Sequence, residues 1–173
     1  MEVLIAILVL AIGVLGYSAL QIRAVEATTE ALNRSQAMLI LRGLAENVRA
    51  NAGLVDPTNS VTAQSYYKAA VQANNTSSAA AAVTFPFSPN CDATVCSASD
   101  FAKFDANQSA YMAYKQGILL NMDVCPGDSN DGRKCLFASW GKTQPTIGSG
   151  TTDCITSTGV YNTVATCVMM EAY

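Results

Sequence analysis

The pattern of apolar and polar positions changes character about fifty residues into the chain. From Val3 to Ile22 (VLIAILVLAIGVLGYSALQI) there are 20 consecutive uncharged residues, softened only at Tyr17, Ser18 and Gln21. At about 1.5 Å per residue, a helix of that length spans ~30 Å, the thickness of a bilayer core. A cleaved secretory signal needs a basic stretch before the apolar run and a small-residue cleavage site after it. Here Met1 and Glu2 precede the run, and a helical pattern continues beyond Arg23. A buried helix that is apolar on all sides needs a larger protein to surround it. The segment therefore reads as a membrane-spanning helix. Glu2 at its end has a plain reading, complementing the positive helix N-terminus at a membrane interface. It also has a sharper one: a carboxylate that needs a partner once the apolar helix leaves lipid for a protein bundle.

From Ala24 to Ala52 the residues are mostly strong helix formers, and the first proline is Pro57. Val25, Leu32 and Leu39 recur at a spacing of seven, and Leu41, Leu44 and Val48 continue an apolar stripe. Glu26, Glu30, Arg34, Arg42, Glu46 and Arg49 fill other faces, with Glu30 and Arg34 at a favourable i,i+4 spacing. Asn51-Ala52-Gly53 reads as a stop with Gly53 as the left-handed cap. One helix is predicted over about residues 2–52. Its residues 1–22 form a transmembrane or assembly half, and its residues 23–53 an amphipathic half that lies against a globular domain of residues 54–173.

Within that domain, Ser60 or Thr62 caps a short helix running to about Ala73. Asn74 to Ser78 reads as a loop, and the apolar run Ala79 to Phe87 is cut short by Pro86 and Pro89. Ser97 and Asp100 have capping-box spacing and open a helix to about Gly117, with Phe101 and Phe104 turned to the core. Strand-like segments follow at Ile118–Cys125, Lys134–Trp140, weakly at Thr151–Ile155, and at Val164–Met170. The turn-rich PGDSNDGRK between the first two makes this an antiparallel meander of three or four strands. The predicted class is α+β, a long N-terminal helix packed on a small antiparallel sheet.

Composition then removes several functions. Half of the 173 residues are apolar and only 13% are charged, which excludes a disordered chain. A net charge of −3 gives no positive field for phosphates. There is no histidine, so Ser-His and Cys-His nucleophile pairs and histidine-bearing zinc sites are excluded. Asp128, Asn130, Asp131 and Gly132 resemble a calcium loop, but the glycine falls at position five and Ser139 at position twelve, so a solvated turn is the reading. Asp100 and Asp105 are five apart and do not share a helix face; capping explains Asp100. Asn33, Asn74, Asn75 and Asn107 open Asn-x-Ser/Thr triplets of a kind that chance supplies. No catalytic residue, metal site or cofactor is expected.

Six cysteines stand at Cys91, Cys96, Cys125, Cys135, Cys154 and Cys167. Structural zinc uses close Cys pairs, and only Cys91 and Cys96 qualify. No Cys-x-x-Cys redox motif occurs. Disulfides are the reading, which places the domain outside the cytoplasm. Six cysteines allow 15 pairings. The one without nesting, Cys91–Cys96, Cys125–Cys135 and Cys154–Cys167, fits the strand layout. Arg23 beside the span would by the positive-inside rule lie in the cytoplasm, which the disulfides oppose; basic residues upstream of Met1 would resolve this.

The segment MEVLIAILVLAIGVLG resembles the N-terminus of type IV pilins and pseudopilins, a glutamate heading a long apolar helix. EVLIAILVLAIGVLGYSALQ, CSASDFAKFDANQ and CLFASWGKT resemble the PilV group of minor pilins within them. The resemblance implies a type IV pilin-like fold. It implies a basic leader removed by a membrane peptidase that methylates the new N-terminus, so that the leader and first mature residues would precede Met1. It implies that Glu2 pairs with an N-terminal amine during assembly. Val3, Leu4, Ile5, Leu8, Leu10, Gly13, Leu15 and Gly16 would exchange lipid for neighbouring helices. The implied partners are other major and minor pilins, the inner membrane before assembly, and an adhesive ligand or DNA reached through the pilus rather than through a basic site on this chain. A minor pseudopilin of a type II secretion system shares the same N-terminal logic. A membrane-anchored periplasmic binding module or enzyme is the reading from another class.

Overall fold

A computed structural model describes residues 2–51, 62–127 and 133–172. Helix α1 runs over Glu2–Ala50. Two compact units meet within it, residues 1–35 and residues 36–173. The expected stop at Gly53, Ser60 as a cap, and the turn carrying Asp128, Asn130, Asp131 and Gly132 lie outside the described residues; Thr62, the other cap expected, stands at the start of the next helix without a side-chain capping bond.

In the first unit, three hydroxyl side chains of α1 bond to the helix's own backbone. Ser18 Oγ donates to the Val14 carbonyl at 2.9 Å, and Thr28 and Thr29 donate to the Val25 carbonyl at 2.9 and 2.8 Å. Such back-bonding satisfies a hydroxyl without any outside partner.

The second unit adds α2 (Ala63–Ala73), α3 (Ser77–Ala82) and α4 (Ala98–Tyr114), then β1 (Ile118–Val124), β2 (Lys134–Trp140), β3 (Gln144–Ile147), β4 (Asp153–Ile155) and β5 (Cys167–Glu171). Helix α3 replaces part of the loop expected over Asn74–Ser78. Thr76 accepts a bond from the Ala79 amide, and the alanine run that follows has the highest helix propensity of any residue. The cap of α4 is as read: Ser97 Oγ accepts from the Asp100 amide at 3.2 Å and donates to the Asp100 carboxylate at 2.8 Å.

The main sheet has the order β1-β2-β5, both pairs antiparallel. Its two faces follow from strand alternation. Ile118, Leu120, Met122, Leu136, Ala138, Trp140 and Val168 lie on one face, in a core shared with Ala37, Leu41, Leu44, Ala45 and Val48 of α1 and with residues of α2 and α4. Cys135, Phe137 and Cys167 lie on the other, under Cys125, Cys154 and Ile155. Both faces are thus covered, which is why β2 is apolar at almost every position rather than alternating.

The simple meander is not what forms. β3 and β4 make a separate two-stranded parallel ladder, and β5 returns to β2 beyond them. The Asp153 carboxylate holds the short link between β3 and β4. It accepts from Thr146 Oγ1 at 2.6 Å and from the Gly150 amide at 2.7 Å. A Cβ on Gly148 would come within 2.2 Å of Asp153 Oδ2, so any side chain there would push the Asp153 carboxylate from this position.

The cysteines join as Cys91–Cys96, Cys125–Cys135 and Cys154–Cys167, with Cα separations of 5.5, 4.9 and 5.9 Å. The last two lie in the second face's core. Cys125–Cys135 ties the end of β1 to the start of β2, and Cys154–Cys167 ties β4 to β5.

Candidate assembly surface

An α-helix buries its apolar residues only where another element lies against them. In the first unit no such element is present. Val3, Leu4, Ile5, Leu8, Leu10 and Leu15 are all exposed, Val3 at 72% and Leu4 at 70%. The helix is long and apolar enough to cross a membrane by length and composition, and the span in question is wholly unburied. A Cβ placed on Gly13 or Gly16 would meet no atom within 4 Å. These glycines therefore serve no close contact among the described residues. They leave shallow notches where another helix backbone can come close. Glu2 is exposed and makes no ion pair among the described residues.

The stripe at a spacing of seven behaves differently from the expectation that it packs on the domain. Val25, Leu32 and Leu39 are 64%, 60% and 65% exposed. Leu41, Leu44 and Val48 are buried. At about 100° per residue, Leu41 sits ~200° round the helix from Leu39, so the two sets occupy opposite sides. Exposed apolar positions thus recur past Arg23, at residues that sequence reasoning assigned to the core side. The signal was present in the phase: Leu41, Leu44, Ala45 and Val48 follow one helical face, and Leu39 does not belong to it.

In the second unit, the polar groups that are buried serve packing. The Tyr67 hydroxyl of α2 donates to the Asp105 carboxylate of α4 and accepts from Asn51 Nδ2 at 2.8 Å. Burial raises the Tyr67 pKa, and the bond to Asp105 and its charge raise it further. Burial raises Asp105 above its ordinary value, against the Tyr67 bond, which lowers it. Asp105 is therefore neither a cap nor half of an acid pair with Asp100; it fastens α4 to α2. Asn74, which opens one Asn-x-Ser/Thr triplet, donates to the Ala70 carbonyl at 3.3 Å and to Asn107 Oδ1 at 2.9 Å. Asn107 in turn donates to the Ser88 carbonyl at 3.3 Å. Both side-chain amides are structural. No group of three or more metal-ligating side chains gathers among the described residues.

A long exposed apolar helix thus runs into a disulfide-bearing α+β unit with a three-stranded antiparallel sheet. Residues 19–107, just over half of the chain, match the family of Tt1218-like proteins, described as type IV pilin Tt1218. The chain belongs to this type IV pilin family. No curated protein and no solved structure matches it. The family is structural, and membership implies assembly with other pilins and fits a membrane-anchored, pilus-incorporated protein.

Proposed function

We propose that this chain is a minor pilin of a type IV pilus, of the PilV group, which initiates the filament or is incorporated near its tip. The observation that carries the reading is the stretch of helix α1 from Val3 to Ile22: uncharged on all sides, exposed throughout and headed by Glu2. Such a helix has two suitable surroundings, lipid tails and other apolar helices, and can pass from one to the other at small cost because both offer the same contact. Residues 1–22 are then the membrane and filament half, held as a single pass in the inner membrane before assembly with the disulfide-bearing domain on the periplasmic side. Gly13 and Gly16 admit neighbouring helices. In the bundle, the Glu2 carboxylate takes a positive partner, the methylated N-terminal amine of a neighbouring subunit, because an unpaired charge among apolar helices is strongly unfavourable.

Through the filament the protein supports piliation, twitching motility, adhesion or DNA uptake. DNA or an adhesive ligand is reached through the pilus, since the net charge of −3 supplies no basic site of its own. Deleting the gene is expected to abolish or reduce surface pili. Normal piliation with failed protein secretion would instead identify a minor pseudopilin of a type II secretion system. Glu2→Ala is expected to block incorporation while leaving the domain folded, read by recovery of the protein in sheared pili against the membrane fraction. Unchanged incorporation would remove Glu2 from the mechanism.

A further inference from the structure

An open sheet leaves a row of unpaired backbone groups at each edge, and proteins close such edges with specific devices. In an antiparallel ladder, alternate residues turn N–H and C=O toward one neighbour, and the residues between turn theirs the other way. The bonds from Trp140 N–H to the Thr166 carbonyl (3.0 Å) and from Ala172 N–H to the Lys134 carbonyl (2.8 Å) assign the even-numbered residues of β5 to β2. Cys167, Met169 and Glu171 therefore face outward, at an edge with no further strand among the described residues. On β1, the bond from Cys125 N–H to the Arg133 carbonyl at 3.0 Å assigns the odd-numbered residues to β2, so Met122 and Val124 face outward.

The two edges are closed in different ways. On β1 the strand caps itself: Met122 N–H donates to Asn121 Oδ1 at 2.9 Å, and Val124 N–H donates to Asp123 Oδ1 at 2.8 Å. Both caps are anchored. Asn121 is buried and donates to the Pro145 carbonyl at 2.7 Å, while Asp123 pairs with Lys68 of α2 at 2.7 Å. On β5 the outward N–H of Met169 donates to the Tyr161 hydroxyl at 3.0 Å. That phenol comes from the β4–β5 connection and is 46% exposed.

We propose that Tyr161 is a removable guard of the β5 edge, and that without it β5 accepts an antiparallel strand, the β5 of a second copy of this chain. A pairing centred on Met169 sets Met169 against Met169, Val168 against Met170 and Glu171 against Cys167. No like charges stand opposite each other, and Glu171 keeps Arg133 beside it at 3.4 Å. Met169 and Met170 are only half-buried, so apolar surface is available to the added strand. The chain belongs to a family whose members assemble, and an open edge would compete with ordered assembly.

The test uses the full chain in detergent micelles, with residue-resolved amide exchange and sedimentation. In the native chain, the Met169 amide is expected to exchange more slowly than the equally outward Glu171 amide. Tyr161→Phe, which keeps the ring and removes the hydroxyl, is expected to speed Met169 exchange roughly three- to tenfold, as loss of one hydrogen bond implies. It is also expected to raise the dimer fraction with concentration. Adding Met169→Pro removes the outward donor without touching the β2 ladder and is expected to return the dimer fraction to the native level. Unchanged Met169 exchange in Tyr161→Phe, no gain in dimer, or a dimer that survives Met169→Pro would each overturn the proposal.

Discussion

Leucine has opposite fates in two regions of this molecule. Leu4, Leu8, Leu10 and Leu15 in the first unit are exposed, while Leu41, Leu44 and Leu136 in the second are buried. The residue type is the same, and so is the driving force, about 25 cal/mol per Å² of apolar surface removed from water. The second unit satisfies that force with its own helices and sheet. The first has nothing of its own to do so, and its surface is a requirement for other molecules. Hydropathy states what must be covered; only packing states by what.

This contrast is broken most sharply by truncating one large side chain in each region. Phe137 is fully buried against the disulfide cluster. Phe137→Ala is expected to cost about 3–5 kcal/mol of domain stability, measured by denaturant unfolding. Leu8→Ala is expected to leave the domain's unfolding midpoint unchanged and to reduce filament incorporation. A fall in domain stability from Leu8→Ala would show that the two regions are not energetically separate.

A smaller effect is expected from the polar contact inside the second unit. Tyr67→Phe leaves the buried Asp105 carboxylate without its donor and is expected to cost about 1–3 kcal/mol near neutral pH. The pH dependence has a defined sign. Tyr67 holds its proton in the folded state to higher pH than in the unfolded chain. Its stabilising contribution is complete below the ordinary tyrosine pKa of about 10 and is lost as pH rises above it. Asp105, raised in the same direction, favours the folded state below the ordinary carboxylate range and loses that contribution as pH rises toward its folded value. The native domain should therefore weaken above about pH 10, and Tyr67→Phe should remove that alkaline slope while lowering the whole curve. An alkaline slope retained in Tyr67→Phe would assign it to other tyrosines.

The smallest of these effects is local. Ser97→Ala removes the acceptor for the Asp100 amide at the start of α4 and is expected to cost about 1 kcal/mol, seen as a modest shift in melting temperature. It should leave the first unit's behaviour untouched.

The parts of the fold that were legible in the sequence are those written by neighbours along the chain. A 49-residue helix follows from unbroken helix formers, and the α4 cap follows from Ser97 and Asp100 three residues apart. Strands β1 and β2 follow from short apolar runs on either side of a turn-rich segment. The six cysteines, taken in order along the chain, stand in the pairs that the structure joins. What was not legible depends on residues far apart. The contact of Tyr67 with Asp105 spans 38 positions. In the parallel pairing of β3 with β4, the Asp153 carboxylate fills space that Gly148 and Gly150 leave open. The candidate surface divides the same way. Its apolar length from Val3 to Ile22 is evident from hydropathy, but the exposure of Val25, Leu32 and Leu39 depends on which face of α1 the core occupies.

The sequence alone determined the helix, its apolar length, its glutamate and the local cross-links, because each depends on spacing within a few turns or one hairpin. Tertiary structure alone decided which side of α1 is core and which is exposed, how the sheet's two faces are filled, and how each of its edges is closed. Those outcomes depend on which surfaces meet in space, and a periodic apolar pattern names the faces of a helix or strand without saying which of them finds a neighbour.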